Sequence, residues 1–289
     1  MRQTKRAQIA DDQRPRPIKI NMAGATGDSA EKFWGQKCLV LITGGSRGIG
    51  MVIAVEFAKK LAKDSVVVIT GRNATGLQDT KRLIESGAEH VKVLTEVCDH
   101  LTATYEDYEE LISMASKHVE QPEKAILVHN AATLGDASRY AASYNDPKII
   151  GDYMHLNLTS VMLLTSAFLK HYHQDSETAR AIINITSLAG KKAFPGLGLY
   201  CTGKAAREMY FNVLAVENPT VKVLHYSPGP VKTDMFNELM SSSITELRHM
   251  SEGLRECATA PETTVAKLVD ILDKGDFNSG ACIDFFDSV

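Results

Sequence analysis

From residue 38 onward the chain alternates two hydrophobic patterns. Short, nearly unbroken runs of Val, Ile and Leu fall at 38–43, 65–70, 91–94, 125–129, 181–185, 221–226 and 281–285. A strand with one wet face alternates apolar and polar residues, whereas an unbroken apolar run marks a strand covered on both faces. Between these runs lie longer segments, among them 51–63, 74–86, 105–120, 156–173 and 199–217, in which apolar residues recur with the helical period. Strand and helix in repeated alternation predict an α/β fold with a doubly wound parallel sheet and right-handed crossovers. No repeat, linker or low-complexity stretch interrupts the pattern, so residues 35–289 are expected to form a single domain.

Residues 1–34 break the pattern. Arg2, Lys5, Arg6, Arg14, Arg16 and Lys19 are interspersed with Pro15 and Pro17, and apolar periodicity is missing. The segment lacks the apolar stretch of a secretory signal, and Asp11, Asp12 and the prolines argue against a mitochondrial presequence. It is expected to be a disordered N-terminal tail, with Met22 as an alternative start. On that reading the Asn-x-Ser/Thr triplets at Asn73, Asn157 and Asn184 carry no weight as glycosylation sites.

Composition narrows the function classes. The 289 residues carry 32 Lys+Arg against 35 Asp+Glu, without the basic excess expected of a nucleic-acid-binding protein. No apolar run reaches the length of a membrane span. Cys38, Cys98, Cys201, Cys257 and Cys282 are odd in number and widely spread, which predicts neither a disulfide framework nor a metal site. A cytoplasmic location is expected.

The first candidate chemistry follows the first strand. Thr43-Gly-Gly-Ser-Arg-Gly-Ile-Gly50 runs directly into the helical segment that begins at Met51. In such a turn glycines allow the bend, admit a pyrophosphate close to the backbone and let the helix pack on the strand. The helix N-terminus then presents N–H groups and partial positive charge to the phosphates. Strand, loop and helix in this order predict a dinucleotide site built from Gly44, Gly45, Ser46, Arg47, Gly48, Ile49, Gly50 and Met51. At the end of the second strand NAD sites carry an acid; here Thr70-Gly-Arg72-Asn73 has none. Arg72 with Arg47 is suited to a ribose 2′-phosphate, which favours NADP(H), the alternative being that both are ordinary solvated surface residues. Asp99, after the third strand, and Asn130, after the fourth, are placed to line the adenine and ribose.

A second constellation lies downstream. Ser187 ends the fifth strand, and Tyr200-Cys-Thr-Gly-Lys204 opens a long helix with Tyr200 and Lys204 on one face. Ketone reduction needs a proton at the carbonyl oxygen as charge develops there; a phenol serves if a neighbouring Lys⁺ lowers its pKa and a serine hydroxyl aligns the carbonyl. Asn157 is either a fourth member, organising water for proton relay, or a polar core residue that kinks its helix. Asp284 interrupts the last apolar run. It either sits solvated at the strand's end or binds substrate.

Together the glycine turn, Asn130-Ala-Ala132, Ser187, the Tyr200/Lys204 pair and Pro228-Gly-Pro230 resemble the short-chain dehydrogenase/reductase family, over roughly residues 36–289. Tyr200 to Met209, Ser227 to Pro230 with Thr233-Asp-Met235, Leu156 to Ser160 and Ser279 to Phe285 resemble its pterin-reducing branch. The resemblance implies a Rossmann-like homodimer that uses NADPH to reduce side-chain carbonyls of pterins in tetrahydrobiopterin synthesis. It assigns catalysis to Ser187, Tyr200 and Lys204, and cofactor contacts to Gly45 through Met51, Arg72, Asn73, Asp99, Lys204, Val231, Lys232, Thr233, Asp234, Met235 and Phe236. It places Leu188, Gly229 and Asp284, with Ser187 and Tyr200, against the pterin. His100, among the cofactor-lining positions, departs from the apolar residue usual in that branch. A broad carbonyl reductase, or a non-catalytic NADPH-binding redox sensor, is the alternative.

Overall fold

The apolar runs become strands whose alternate residues enter opposite layers. In the computed structural model, which describes residues 32–174 and 176–288, the strands are β1 (Cys38–Thr43), β2 (Val66–Gly71), β3 (Lys92–Val97), β4 (Lys124–His129), β5 (Ala179–Ile185), β6 (Val221–Ser227) and β7 (Ala281–Asp284). They form one parallel seven-stranded sheet in the order β3-β2-β1-β4-β5-β6-β7. The chain builds outward from β1 to β3 and returns to β4 beside β1. That reversal opens a crevice at the carboxyl ends of the strands, where α/β folds bind ligands.

Helices α1 (Gly48–Ala58), α2 (Ala74–Gly87), α3 (Tyr105–Ser116), α4 (Pro147–Met154), α5 (Ser160–His171), α6 (Gly198–Glu217), α7 (Asp234–Met240), α8 (Thr245–Leu254) and α9 (Pro261–Lys274) complete the described fold. On one face Val40, Ile42, Ile126 and Ile183 pack with Ile53 and Phe57 of α1 and Leu268 of α9. On the other, Leu39, Leu41, Leu127 and Ile182 pack with Ile112 of α3, Phe168 of α5 and Phe211 of α6. The doubly wound Rossmann-like expectation is therefore met.

Several details differ from the pattern read along the chain. The tail expected over 1–34 falls mostly outside the described residues, but its last part does not behave as a tail. Phe33 and Trp34 are buried, and Trp34 meets Phe57 edge-on with ring centroids 4.8 Å apart. The helix expected over 156–173 is two helices joined by a wide π turn, His155–Thr159. It begins earlier, where Pro147 occupies the first turn of α4 and the Asp146 side chain accepts from the Lys148 N–H at 2.8 Å. Phe168 and Phe211 are buried in this chain's own core, while Met162, Met209, Val213 and Val216 stand exposed on the same two helices. No helix among the described residues is long and apolar enough to cross a membrane.

Candidate active site

The glycine turn is shaped by what surrounds it. Gly44 (φ 70°) and Gly48 (φ 58°) lie in the left-handed region that side chains disfavour. A Cβ on Gly50 would come within 2.3 Å of both the Gly44 carbonyl oxygen and Asn130 Nδ2. Asn130 laces this turn to the end of β4: Nδ2 donates to the carbonyls of Thr43 (3.0 Å) and Gly44 (3.1 Å). The N–H groups of Asn130 and Ala131 donate to the Thr43 hydroxyl at 3.1 and 3.0 Å. The amide expected to line a ribose thus holds the phosphate turn in shape. No side chain caps α1 and no acid lies in its first turn, which leaves its N-terminal N–H groups and dipole for an anion.

Around this turn the other expected cofactor positions divide. Gly45 and Ser46 lie in the turn, and Ile49 and Met51 pack partly into the core. Arg47 pairs with Asp234 at the start of α7, tying the glycine turn to the 231–236 segment. Arg72 is exposed at the end of β2. Asn73 caps α2, accepting from Gly76 N–H at 3.0 Å. Thr233 caps α7, and Val231 pairs with Thr259 in an isolated bridge. Asp99 accepts from the Leu101 N–H at 3.0 Å. The His100 ring is buried between the Thr70 hydroxyl (3.2 Å) and the Tyr108 hydroxyl (2.8 Å). Desolvation lowers its pKa to about 4, so it serves as a neutral core bridge rather than as a cationic ligand.

Across the crevice, β5 delivers Ser187 and α6 delivers Tyr200 and Lys204. The spacing of four does bring the latter together: Lys204 Nζ lies 5.5 Å from the Tyr200 ring centroid and donates to the Ile185 carbonyl at 2.8 Å. Ser187 Oγ accepts from the Ala189 N–H at 3.2 Å. The electrostatics differ from expectation. Burial raises the Tyr200 pKa, opposed by a hydrogen bond from Ser187 and by Arg207. Burial, with help from Arg207, pulls the Lys204 amine well below its usual value. Lys204 is thus a weaker cation than an exposed lysine, because desolvation disfavours its charged form. Tyr200 consequently keeps its proton at neutral pH, which is the state a proton donor needs.

Asn157 sits within the π turn, 2% exposed. Its Oδ1 accepts from Thr133 N–H and its Nδ2 donates to the Tyr153 carbonyl, both at 3.0 Å. The side chain therefore clamps the loop after β4 to the wide turn, in keeping with the kink reading.

Beside Ser187 a cavity of about 250 Å³ is bounded by Leu188 and Lys191 from the loop after β5, Ser227 from β6, and Cys282, Asp284 and Asp287 from the C-terminal segment. Gly229, outside this lining, lies against Phe285 and Phe286, the two residues after Asp284. Asp284 Oδ2 accepts from Ser227 and Oδ1 from the Phe286 N–H at 3.0 Å. Lys191, Ser227, Cys282 and Asp287 were not singled out in the sequence. Ser227 was the most accessible of them, since it ends a strand directly before Pro228-Gly-Pro230.

Known proteins match this arrangement along most of the chain. Sepiapterin reductase of Meriones unguiculatus is 37% identical over 265 residues, covering 88% of this chain and 98% of the relative. The enzyme of Mus musculus is 36% identical over 260 residues with the same coverage. Benzil reductase of Bacillus cereus is 27% identical, covering 84% of this chain and 97% of the relative. Among solved structures, a Shigella flexneri short chain dehydrogenase complexed with NADP superimposes with a TM-score of 0.72 at 23% identity, covering 88% of this chain and 99% of its own. KRED1-Pglu superimposes with a TM-score of 0.73 at 25% identity, covering 86% and 100%. Residues 38–243 match the family described as short chain dehydrogenase, and with the glycine turn and the Tyr200/Lys204 pair in place, the chain belongs to that family of oxidoreductases.

Proposed function

We propose that this protein is an NADPH-dependent reductase of pterin side-chain carbonyls, of the sepiapterin reductase type, acting as a homodimer in the cytoplasm. The observation that carries the reading is the cavity beside Ser187, with a carboxylate, Asp284, on its wall. A pterin ring offers two adjacent donors, its 2-amino group and a ring N–H, which a carboxylate accepts together. With the ring held there, a side-chain carbonyl reaches toward Ser187 and Tyr200.

The residues of the crevice fit a phosphorylated dinucleotide. The glycine turn and the uncapped α1 N-terminus would take the pyrophosphate, and Arg72 the 2′-phosphate. Bound there, NADPH supplies the hydride. Ser187 holds the carbonyl oxygen by hydrogen bond, and Tyr200, protonated, gives that oxygen its proton as negative charge develops. Lys204, anchored on the Ile185 carbonyl, lies under the Tyr200 ring. The similarity to the rodent sepiapterin reductases supports the substrate class. The solved relative complexed with NADP supports the cofactor. Exposed Met162, Met209, Val213 and Val216 on α5 and α6 support an interface between two copies.

The deciding experiment follows NADPH oxidation by purified protein with sepiapterin and with benzil. Turnover of sepiapterin at much higher kcat/KM supports the reading. Preference for benzil would make the protein a broader carbonyl reductase, and no turnover of either would remove the assignment.

A further inference from the structure

One level of the sheet, just below the active site, is polar from strand to strand. His129 of β4 is in register with Asn184 of β5, Asn184 with His225 of β6, and His225 with Cys282 of β7. The layer beneath is wholly apolar, with Leu127, Ile182 and Val223 on the same face. His129, Asn184 and His225 are fully or almost fully buried. Such a row has a cost unless each group is partnered, and what organises it is a single side chain descending from α6.

That side chain is Arg207, 0% exposed and on the same helix as the catalytic pair, three residues after Lys204 and seven after Tyr200. Its Nε and Nη2 donate to Asn184 Oδ1 at 3.1 and 2.8 Å. Nη2 also donates to the His129 carbonyl at 2.9 Å and Nη1 to the Ala131 carbonyl at 3.3 Å. Every acceptor is neutral. Among the described residues no carboxylate pairs with it; the neighbouring Glu208 accepts from the Thr186 hydroxyl instead. The other titratable groups facing the guanidinium are Tyr153 from α4, His129 from β4, His225 from β6, and Tyr200 and Lys204 from its own helix. Burial keeps both histidines neutral, lowering the His225 pKa to about 4. The guanidinium comes down only to about 10, so it stays charged throughout the neutral range.

A buried, unpaired charge is among the most unfavourable features a fold can keep. An uncharged side chain of similar length could brace α6 against the sheet without it. We propose that Arg207 is a positioning residue that acts through its charge: from beneath the catalytic pair it favours loss of the Tyr200 proton and disfavours a proton on Lys204, and so sets the pH at which the pair exchanges protons. The direction follows from Coulomb's law, since a fixed cation stabilises a nearby phenolate and opposes a second cation. Its bond to the Ala131 carbonyl extends the same anchor to the loop that holds the glycine turn.

This inference rests on Tyr200 being the proton-transferring group, but its test does not depend on turnover. In ligand-free protein labelled at the tyrosine Cζ carbon, the Tyr200 resonance, assigned with Tyr200→Phe, reports its ionisation. Removing the charge in Arg207→Gln, or offsetting it in Asn184→Asp, which keeps an oxygen acceptor for the guanidinium, should reduce the phenolate fraction about tenfold at a given pH below about 10, where the wild-type guanidinium is still charged. That corresponds to about one pH unit, the size a unit charge gives over two helical turns at an effective dielectric of ~20. Arg207→Lys, which keeps the charge and loses the fork, should titrate near the wild type. The same displacement should appear in the pH limb of kcat for alcohol oxidation. Wild-type ionisation of Tyr200 in Asn184→Asp would overturn the proposal, as would a displacement in Arg207→Lys equal to that in Arg207→Gln. If Arg207→Gln does not fold, Asn184→Asp decides. Failure of this test leaves the reductase reading intact, whereas undiminished reduction by Tyr200→Phe would remove that reading and leave the titration result standing.

Discussion

Ser227 and Asp284 stand directly opposite each other in the β6–β7 pairing, and the serine hydroxyl donates to the carboxylate. This bond, with the Phe286 N–H on the other oxygen, fixes the carboxylate plane at the cavity wall. Asp284→Asn keeps the shape, removes the charge and turns one acceptor into a donor. It should cost about 2–4 kcal/mol in kcat/KM for sepiapterin. A small dicarbonyl without an aminopyrimidine ring should lose little. Parallel losses with both substrates would show that Asp284 serves the fold alone.

Tyr200→Phe removes the proton to be donated and keeps the ring that packs with Leu134, Ala189 and Leu247. Reduction should fall about 10²–10⁴-fold, the usual worth of general acid catalysis, with the NADPH dissociation constant nearly unchanged. A comparable loss of cofactor affinity, measured by fluorescence titration, would point to a structural role.

Arg72→Ala tests the cofactor. The residue is exposed at the end of β2, whereas Arg47, the other arginine of the expected clamp, pairs with Asp234. Arg72 should therefore carry most of the preference, and its loss should weaken NADPH by about 1.5–3 kcal/mol while hardly affecting NADH. Equal effects on both cofactors would remove Arg72 from the 2′-phosphate site.

Stability should fall in mild acid. Burial lowers the pKa of both His100 and His225 to about 4, below the value of about 6.5 in an unfolded chain. Between those limits the unfolded chain binds more protons, so this contribution is fully present above pH ~6.5 and is lost as pH falls toward ~4. At pH 5 each histidine should cost about 2 kcal/mol relative to pH 7. Urea unfolding of the wild type and of His100→Asn at both pH values measures it. An identical acid loss in the variant would show that His100 does not contribute.

Trp34→Ala should destabilise the protein by about 3–5 kcal/mol, the range for emptying a buried aromatic site, because Trp34 packs against both Phe33 and Phe57. A melting temperature within a degree of the wild type would contradict this.

The sheet was legible because its strands are covered on both faces, which writes them as unbroken Val and Ile runs such as 65–70. The glycine turn and the Tyr200/Lys204 pair were legible because their geometry depends on neighbours close in sequence. What stayed hidden depends on partners far away. Arg207 reads as an ordinary solvated arginine until Asn184, His129 and Ala131 are folded around it. Lys191 and Cys282 meet only across the cavity. Trp34 follows a polar stretch with no period, and only Phe57 reveals it as core. α9 did carry local signals, Pro261 at its first turn and left-handed Gly275 at its end. α7 is seven residues long, too short for a helical period to stand out.

The wide turn at His155–Thr159 absorbs one residue between two helices. A regular α-helix advances about 100° per residue, and the π turn holds one residue more than an α turn would. Deleting one residue from the regular part of α5 would rotate everything after it by about that angle, whereas deleting one from the turn would close it to an α turn and leave Val161, Leu164 and Phe168 facing the sheet. The length of this stretch is therefore under looser physical constraint than that of the helix it precedes. What a shortened turn would lose is the placement of Asn157, whose amide clamps the turn to Thr133 and Tyr153.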